Sequence, residues 1–278
     1  AVILIRSCIS NINSEIGRRT KLAITNSLTV LIRCVSSLHE VNCSEKGYRR
    51  EREIGGAPQR CGTLIYDNLV TVEEASKLRK LAEKLINRIG DSSRYIRESL
   101  NLKWVNLHNV FRKGAQLKIF TEKDYKLIRK TGDAVKQVVC NTFGLREELV
   151  FFSNVSQFTR HKPVTQFSEF RHVDKVRSPS LIVTTILWLS TVDFDFIGGR
   201  LEFLTGGPEP FSPLLIDPKF GRFSAWTSSY ENPHAVHEIV AGERYALIFA
   251  FTASQEIGHA SIDHLREWAF SFDELNLM

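Results

Sequence analysis

At 278 residues, with 43% hydrophobic and 10% aromatic content, the chain is long enough to bury one sizeable core, and a single domain with an N-terminal extension accounts for it. Its net charge of +6 and pI near 9.1 are only mildly basic. The surplus lies in short clusters, Arg18-Arg-Thr-Lys21 and Tyr48-Arg-Arg-Glu-Arg-Glu53, that read as solvated faces; there is no nucleic-acid motif and no aromatic-interleaved basic stretch, so no nucleic-acid partner is expected.

Residues 1–60 read as the extension. The basic cluster precedes Leu22-Ala-Ile-Thr-Asn-Ser-Leu-Thr-Val-Leu-Ile32, which has the order of a signal or anchor segment. It also carries Thr, Asn and Ser and ends at Arg33, well short of the roughly 20 apolar residues a spanning helix needs. A membrane-anchored or secretory location and a cytoplasmic one both stay open. The five cysteines, at 8, 34, 43, 61 and 140, have no metal-binding spacing. Cys43 and Cys61 flank a polar stretch ending in Gly55-Gly-Ala-Pro58 and are read either as a disulfide or as free thiols. Asn42-Cys-Ser44 and Asn154-Val-Ser156 match the glycosylation acceptor pattern, the second expected in a strand.

Two helices follow. Thr71-Val-Glu-Glu74 is a capping box, and Val72, Ala75, Leu78, Leu81, Ala82, Leu85, Ile86 and Ile89 form one apolar stripe up to Gly90. Thr121-Glu-Lys-Asp124 opens the second, with Ile128, Val135, Val138 and Val139 inward and Gly144 past its end. From about Leu149 the pattern changes to short strands rich in Val, Ile, Phe and Thr, which predicts a mainly β fold, a double-layered jelly roll braced by the helices. The expected organisation is helical support over 61–148, jelly-roll core over 149–253 and a tail over 254–278. In that tail Ile262, Leu265, Trp268, Ala269 and Phe272 have helical spacing.

The candidate chemistry lies in the strand region. His172-Val-Asp174 precedes the apolar run Leu181–Leu189, then Gly198-Gly199-Arg-Leu-Glu-Phe203, then Asn232-Pro-His234, with Arg244 ten residues on. Two neutral imidazoles and a carboxylate suit one face of Fe(II), leaving positions for a bidentate cosubstrate and dioxygen. In an extended strand His172 and Asp174 point to one side. Residues 235–240 read as a strand that Ala241-Gly242-Glu243 turns back, so that Arg244 opens its neighbour. A guanidinium there can grip a carboxylate through two parallel hydrogen bonds.

The order His-x-Asp, apolar strand, Gly-Gly-x-x-x-Phe, His-x(9)-Arg resembles the prolyl 4-hydroxylase-type branch of the 2-oxoglutarate- and Fe(II)-dependent dioxygenases. Further words, Arg60-Cys-Gly near Asn68-Leu-Val-Thr71, His172-Val-Asp-Lys-Val176, Glu231-Asn-x-His234 and Gly242-x-Arg244-Tyr-Ala, resemble a group of single-pass membrane proteins with such an oxygenase domain, over roughly Cys43 to Thr252. The resemblance implies a double-stranded β-helix of the cupin-like kind. It implies iron held by His172, Asp174 and His234, 2-oxoglutarate anchored by Arg244, and dioxygen as the second cosubstrate, with ascorbate as an accessory. It further implies a protein or peptide substrate, with proline among the residues open to attack, and membrane anchoring through the N-terminal segment.

His237 competes with His234, since residues three apart on a strand face opposite ways, and the family's interval to the arginine favours His234. Glu231 or Glu238 is a candidate to orient the metal-binding histidine. This chain departs from the branch at Leu201, where a threonine often helps bind the cosubstrate, so the second anchor is unidentified. Only one of Thr184 and Thr185 can face the barrel interior. Nucleic-acid demethylases of the superfamily carry a further arginine where this chain has Ala250. Two rival readings remain: a jelly-roll scaffold without turnover, supported by Leu201, and a non-oxidative metal cupin, which leaves Arg244 unexplained.

Overall fold

The computed structural model describes residues 36–90, 101–164, 171–207 and 212–275. The candidate anchor at 22–32 lies outside them, and no helix among the described residues is long and apolar enough to cross a membrane. The first half of the described chain runs β1 (Ser36–Val41), α1 (Arg49–Glu53), β2 (Cys61–Tyr66), α2 (Val72–Ile89), β3 (Leu102–Asn106), α3 (Leu107–Gln116), α4 (Glu122–Phe143), β4 (Phe151–Ser153) and β5 (Gln157–His161). The second runs α5 (Asp174–Arg177), β6 (Leu181–Trp188), β7 (Phe196–Gly198), β8 (Leu201–Gly206), β9 (Pro213–Ile216), β10 (Phe223–Thr227), β11 (His234–Val236), β12 (Ile239–Gly242), β13 (Arg244–Thr252), β14 (Gly258–His259) and α6 (Ile262–Leu275).

One large sheet has the order β1-β2-β10-β6-β13-β4-β14, with β5 beside β13 and β3 beside β5. Facing it are the three-stranded sheet β11-β8-β9 and the ribbon β12-β7. The residues between these layers are Ile186 and Trp188 of β6, Leu201 and Phe203 of β8, Leu214 and Ile216 of β9, Trp226 of β10 and Ala246 of β13. This double-stranded β-helix explains why β6 is buried along its whole length: alternate residues pack into the interior and onto the helices.

Both helical capping boxes form, Thr71 with Glu74 and Thr121 with Asp124, and Gly144 ends α4 in the left-handed conformation. On α2, Ala75, Leu78, Leu81, Ala82, Leu85 and Ile86 are buried, whereas Val72 of the expected stripe, in the first turn, is 78% exposed. Arg79 stacks its guanidinium 4.0 Å from the Tyr245 ring centroid and donates to the Leu189 carbonyl, fixing α2 across β13. Gly132 lets α4 come close to α6: a Cβ there would meet Ile262 at 2.9 Å.

Several expectations need correcting. The compact unit begins at Ser36, not at residue 61, since β1 pairs along β2 from Ser36↔Tyr66 to Val41↔Cys61. Cys43 and Cys61 form a disulfide across the end of that pair, while Cys140 is buried as a free thiol whose pKa burial pushes up to about 11. The tail is part of the body too, with Ile262, Leu265 and Ala269 of α6 buried. Asn154 lies in the turn between β4 and β5, not in a strand. The segment expected as one strand over 235–240 is two, β11 in the small sheet and β12 in the ribbon, and Arg244 opens β13 between β5 and β6 rather than beside His234.

Candidate metal centre

His172 and His234 are joined by the main chain. Each donates its backbone N–H to the other's carbonyl at 2.9 Å, an isolated antiparallel bridge that puts both side chains on one face. Their rings lie 4.3 Å apart, centroid to centroid. His172-Val-Asp174 is not an extended strand as expected: Asp174 starts the one-turn helix α5, and it is this turn, not strand alternation, that brings its carboxylate round to the imidazoles. Asp174 Oδ1 stands 3.4 Å from His172 Nε2 and 3.7 Å from His234 Nε2. The three candidate ligand atoms all lie within 4.8 Å of one another.

His234 and Asp174 are held in the states a metal requires. His234 is buried, and its Nδ1 lies 2.9 Å from the Asn232 carbonyl. A carbonyl only accepts, so Nδ1 carries the proton and Nε2 presents a lone pair toward Asp174. Burial lowers the pKa of His234, and the neighbouring His172 adds to this against the pull of Asp174, which keeps the ring neutral. For Asp174, burial pushes upward, but the His172 hydrogen bond and the charges of both histidines outweigh it and bring the carboxyl down to about 2. Its Oδ2 accepts from the Trp226 indole at 2.8 Å, leaving Oδ1 to face the imidazoles.

Neither Glu231 nor Glu238 orients the histidine, which is the task of the Asn232 carbonyl. Glu231 instead accepts from Tyr48 Oη at 2.8 Å and from the Ser44 amide at 3.3 Å. Asn232 is itself clamped, its Nδ2 donating to Thr227 O at 2.8 Å and Thr227 Oγ1 at 2.9 Å. His237 points away from the triad and meets Glu202 at 3.2 Å. Of the two threonines, Thr184 turns toward the site, 3.0 Å from Ser228 Oγ and helping hold Asp174 ionised, while Thr185 donates to the Phe249 carbonyl.

Arg244 is 4% exposed, and one arm donates to the Gly199 carbonyl at 2.8 Å. That carbonyl is presented by a corner only glycine makes easily: Gly198 and Gly199 have φ of 82° and 63°, and a Cβ on Gly198 would lie 2.0 Å from the Glu238 carbonyl. Burial lowers the Arg244 pKa to about 10, so the guanidinium is charged at neutral pH. Leu201, the departure noted above, is buried in the interior and offers no hydrogen bond. Sequence reasoning missed Trp226 and Asn232; the phrase Glu231-Asn-Pro-His234 was the visible trace of the second, and Trp226 left none beyond an aromatic in a strand.

Two imidazoles and a carboxylate drawn together in a double-stranded β-helix whose strand β13 also carries a buried cationic fork make the donor set of a non-haem iron oxygenase that uses a keto-acid cosubstrate. The sequence profile of the 2OG-Fe(II) oxygenase superfamily matches residues 154–252. The rat 2-oxoglutarate and iron-dependent oxygenase domain-containing protein 3 is 34% identical over 231 residues, 79% of this chain and 72% of that protein. Its human counterpart is 32% identical, covering 79% and 71%. A Trichoplax adhaerens prolyl hydroxylase, solved with a hypoxia inducible factor oxygen degradation domain peptide, shares the fold at a TM-score of 0.54, with 16% identity over 76% of this chain and 93% of that one. The chain belongs to the 2OG-Fe(II) oxygenase superfamily; it is an oxygenase that uses Fe(II), 2-oxoglutarate and dioxygen.

Proposed function

We propose that this oxygenase hydroxylates a C–H bond of a peptidyl substrate, with proline the first residue to test, and that His172, Asp174 and His234 hold its iron while Arg244 anchors 2-oxoglutarate. The convergence of three candidate ligand atoms within 4.8 Å carries the metal assignment. When bound, iron and 2-oxoglutarate supply the chemistry, in which dioxygen decarboxylates the keto acid to succinate and carbon dioxide and hydroxylates the substrate. The chain's own part is placement. Trp226 fixes the carboxylate, the Asn232 carbonyl fixes the tautomer, and Arg244 sets the cosubstrate's orientation through its distal carboxylate. Apolar walls of Ile186, Trp188, Leu201 and Phe203 exclude water, which strengthens that ion pair.

A peptide substrate is supported by the fold shared with a peptide-bound prolyl hydroxylase. It is also supported by the rim. Val176 and Tyr230, 60% and 54% exposed, each lie two residues from a site residue, and the Lys175 amide donates to the Ser228 carbonyl, drawing their segments together. Anaerobic addition of Fe(II) and 2-oxoglutarate should produce a visible metal-to-ligand charge-transfer band, and oxygen should then release succinate, faster in the presence of a hydroxylatable peptide. Absence of the band overturns the site assignment. A band with no peptide-stimulated succinate or +16 Da product across a peptide library overturns the substrate.

We also infer a secretory-route location, supported by the Cys43–Cys61 disulfide and by an exposed acceptor at Asn42. Asn154 is no acceptor on this reading, because its side chain engages His259 at 2.7 Å. Expressed in eukaryotic cells, the chain should lose one glycan's mass on deglycosylation, and Asn42→Gln should abolish that shift; an unglycosylated chain carrying both thiols reduced would refute the location.

A further inference from the structure

The second cosubstrate anchor, absent at Leu201, has a candidate in the barrel interior. Two N–H donors are buried there without any partner, Arg244 Nε and Trp188 Nε1. Trp188 is fully buried, and neither side chain has an acceptor of its own. A buried donor left unmade costs about 1–3 kcal/mol, so two together in an otherwise apolar interior call for an acceptor from outside the chain. The register places them as neighbours. Trp188 of β6 is the partner of Ala246 on β13, and Arg244 lies two residues before Ala246 on the same face, the diagonal position that long side chains span. Among the described residues no carboxylate pairs with Arg244; the adjacent Glu243 is engaged by Lys162 and Tyr245. On β5, His161 stands opposite Arg244, and burial together with the guanidinium's charge holds its imidazole well below the ordinary pKa, hence neutral. A cation and an indole donor, with no anion between them, make a carboxylate receptor.

We propose that Trp188 is the second anchor for 2-oxoglutarate, its indole N–H donating to the same distal carboxylate that Arg244 grips. The proposal rests on Arg244 being the carboxylate clamp. It gives the departure at Leu201 a physical meaning, because the donor has moved from β8 to β6, from a hydroxyl to an indole. It also makes recognition dependent on the length of the keto acid, since the indole is rigid and its N–H has one direction.

The test uses the full chain loaded with Zn(II), labelled with nitrogen-15, and titrated with 2-oxoglutarate or with 2-oxopentanoate, which has the same carbon chain and lacks the distal carboxylate. The four tryptophans give four indole resonances. That of Trp188, assigned by its loss in Trp188→Phe or by its Overhauser contact to the Ala246 methyl, should move downfield with 2-oxoglutarate and stay put with 2-oxopentanoate. Trp188→Phe should weaken 2-oxoglutarate about tenfold, the loss of one charge-assisted hydrogen bond, and leave 2-oxopentanoate unchanged. An unmoved indole resonance in a wild-type chain that binds 2-oxoglutarate refutes Trp188 alone. An equal loss for both ligands reduces Trp188 to core packing and refutes it likewise. A wild-type chain that binds 2-oxoglutarate no better than 2-oxopentanoate removes the Arg244 clamp, and the anchor falls with it.

Discussion

His234 is fixed three ways: by its backbone bridge to His172, by the Asn232 carbonyl on Nδ1 and by burial against Phe203 and Trp226. His234→Ala should therefore abolish Fe(II) binding and lower succinate production at least about a hundredfold, whereas His237→Ala, whose ring meets Glu202 at 3.2 Å, should keep both; anaerobic iron titration of each variant decides. Trp226→Phe keeps the ring and removes the donor to Asp174, freeing its carboxylate to turn. Iron affinity should fall about 10–100-fold, with kcat falling less than affinity if iron is saturating. An unchanged iron affinity would show that the indole only packs. The types and spacings of His172, Asp174, His234 and Arg244 were legible because the roles proposed for them, holding iron and a dicarboxylate, demand particular atoms. Their supports, Trp226 and Asn232, were not, since an indole or a main-chain carbonyl is recruited by proximity that only the fold creates.

Elements with local signals were legible, and those fixed by pairing were not. Capping boxes at Thr71 and Thr121 marked both long helices, and the apolar run marked β6, whereas the break between β11 and β12 is imposed by two different partner strands and leaves no mark in 234–242. The Gly198-Gly199 corner shows what such an imposed geometry requires. Gly198→Ala adds a Cβ 2.0 Å from the Glu238 carbonyl at a φ of 82°, so the corner must shift and with it the Gly199 carbonyl that holds Arg244. A rise in KM for 2-oxoglutarate, larger than any change in iron affinity, is expected, together with a stability loss of about 1–3 kcal/mol by denaturant unfolding. At the other face, Glu74 caps α2 and pairs with Lys130 at 2.5 Å. Burial raises its pKa, but Lys130 and the Thr71 amide outweigh this and leave it below the ordinary glutamate value. A depressed carboxylate stabilises the fold above its unfolded pKa and loses that contribution as pH falls through the folded value. Glu74→Gln, which keeps the capping acceptor and removes the charge facing an exposed Lys130, should accordingly destabilise the protein by about 0.2–1 kcal/mol at pH 7 and progressively less as the glutamate is protonated below pH 4.5; an equal loss at pH 3 would disprove the linkage.

At the scale of the whole molecule, the stretch that composition left obscure becomes a buttress for the site. The disulfide ties β1 to β2 and closes the segment from Cys43 to Cys61, whose Tyr48 is fully buried. Tyr48 Oη donates to Glu231 at 2.8 Å and accepts from the Ser229 amide at 3.1 Å, and Lys175, next to Asp174, reaches Glu51 at 2.5 Å. One strap therefore touches both the loop that delivers His234 and the turn that delivers Asp174. The Cys43–Cys61 pair was legible as a candidate disulfide, but the strap's contacts were not, because its polar, Gly-containing sequence has no periodicity and its partners lie more than a hundred residues away. A cross-link closing a loop of this size contributes about 3 kcal/mol in the chain-entropy account, and each kcal/mol shifts the midpoint of a domain this large by about 2–4 °C. The double variant Cys43→Ser, Cys61→Ser should thus melt about 6–12 °C lower, while Cys140→Ser, which leaves the disulfide intact, should not reproduce that loss. Because the strap bears on both ends of the triad, Fe(II) affinity at 25 °C should fall as well, and Tyr48→Phe, which leaves the disulfide intact, should reproduce the affinity loss with little of the melting shift. If both variants bind iron as tightly as the wild type, the strap stabilises the fold without positioning the metal ligands.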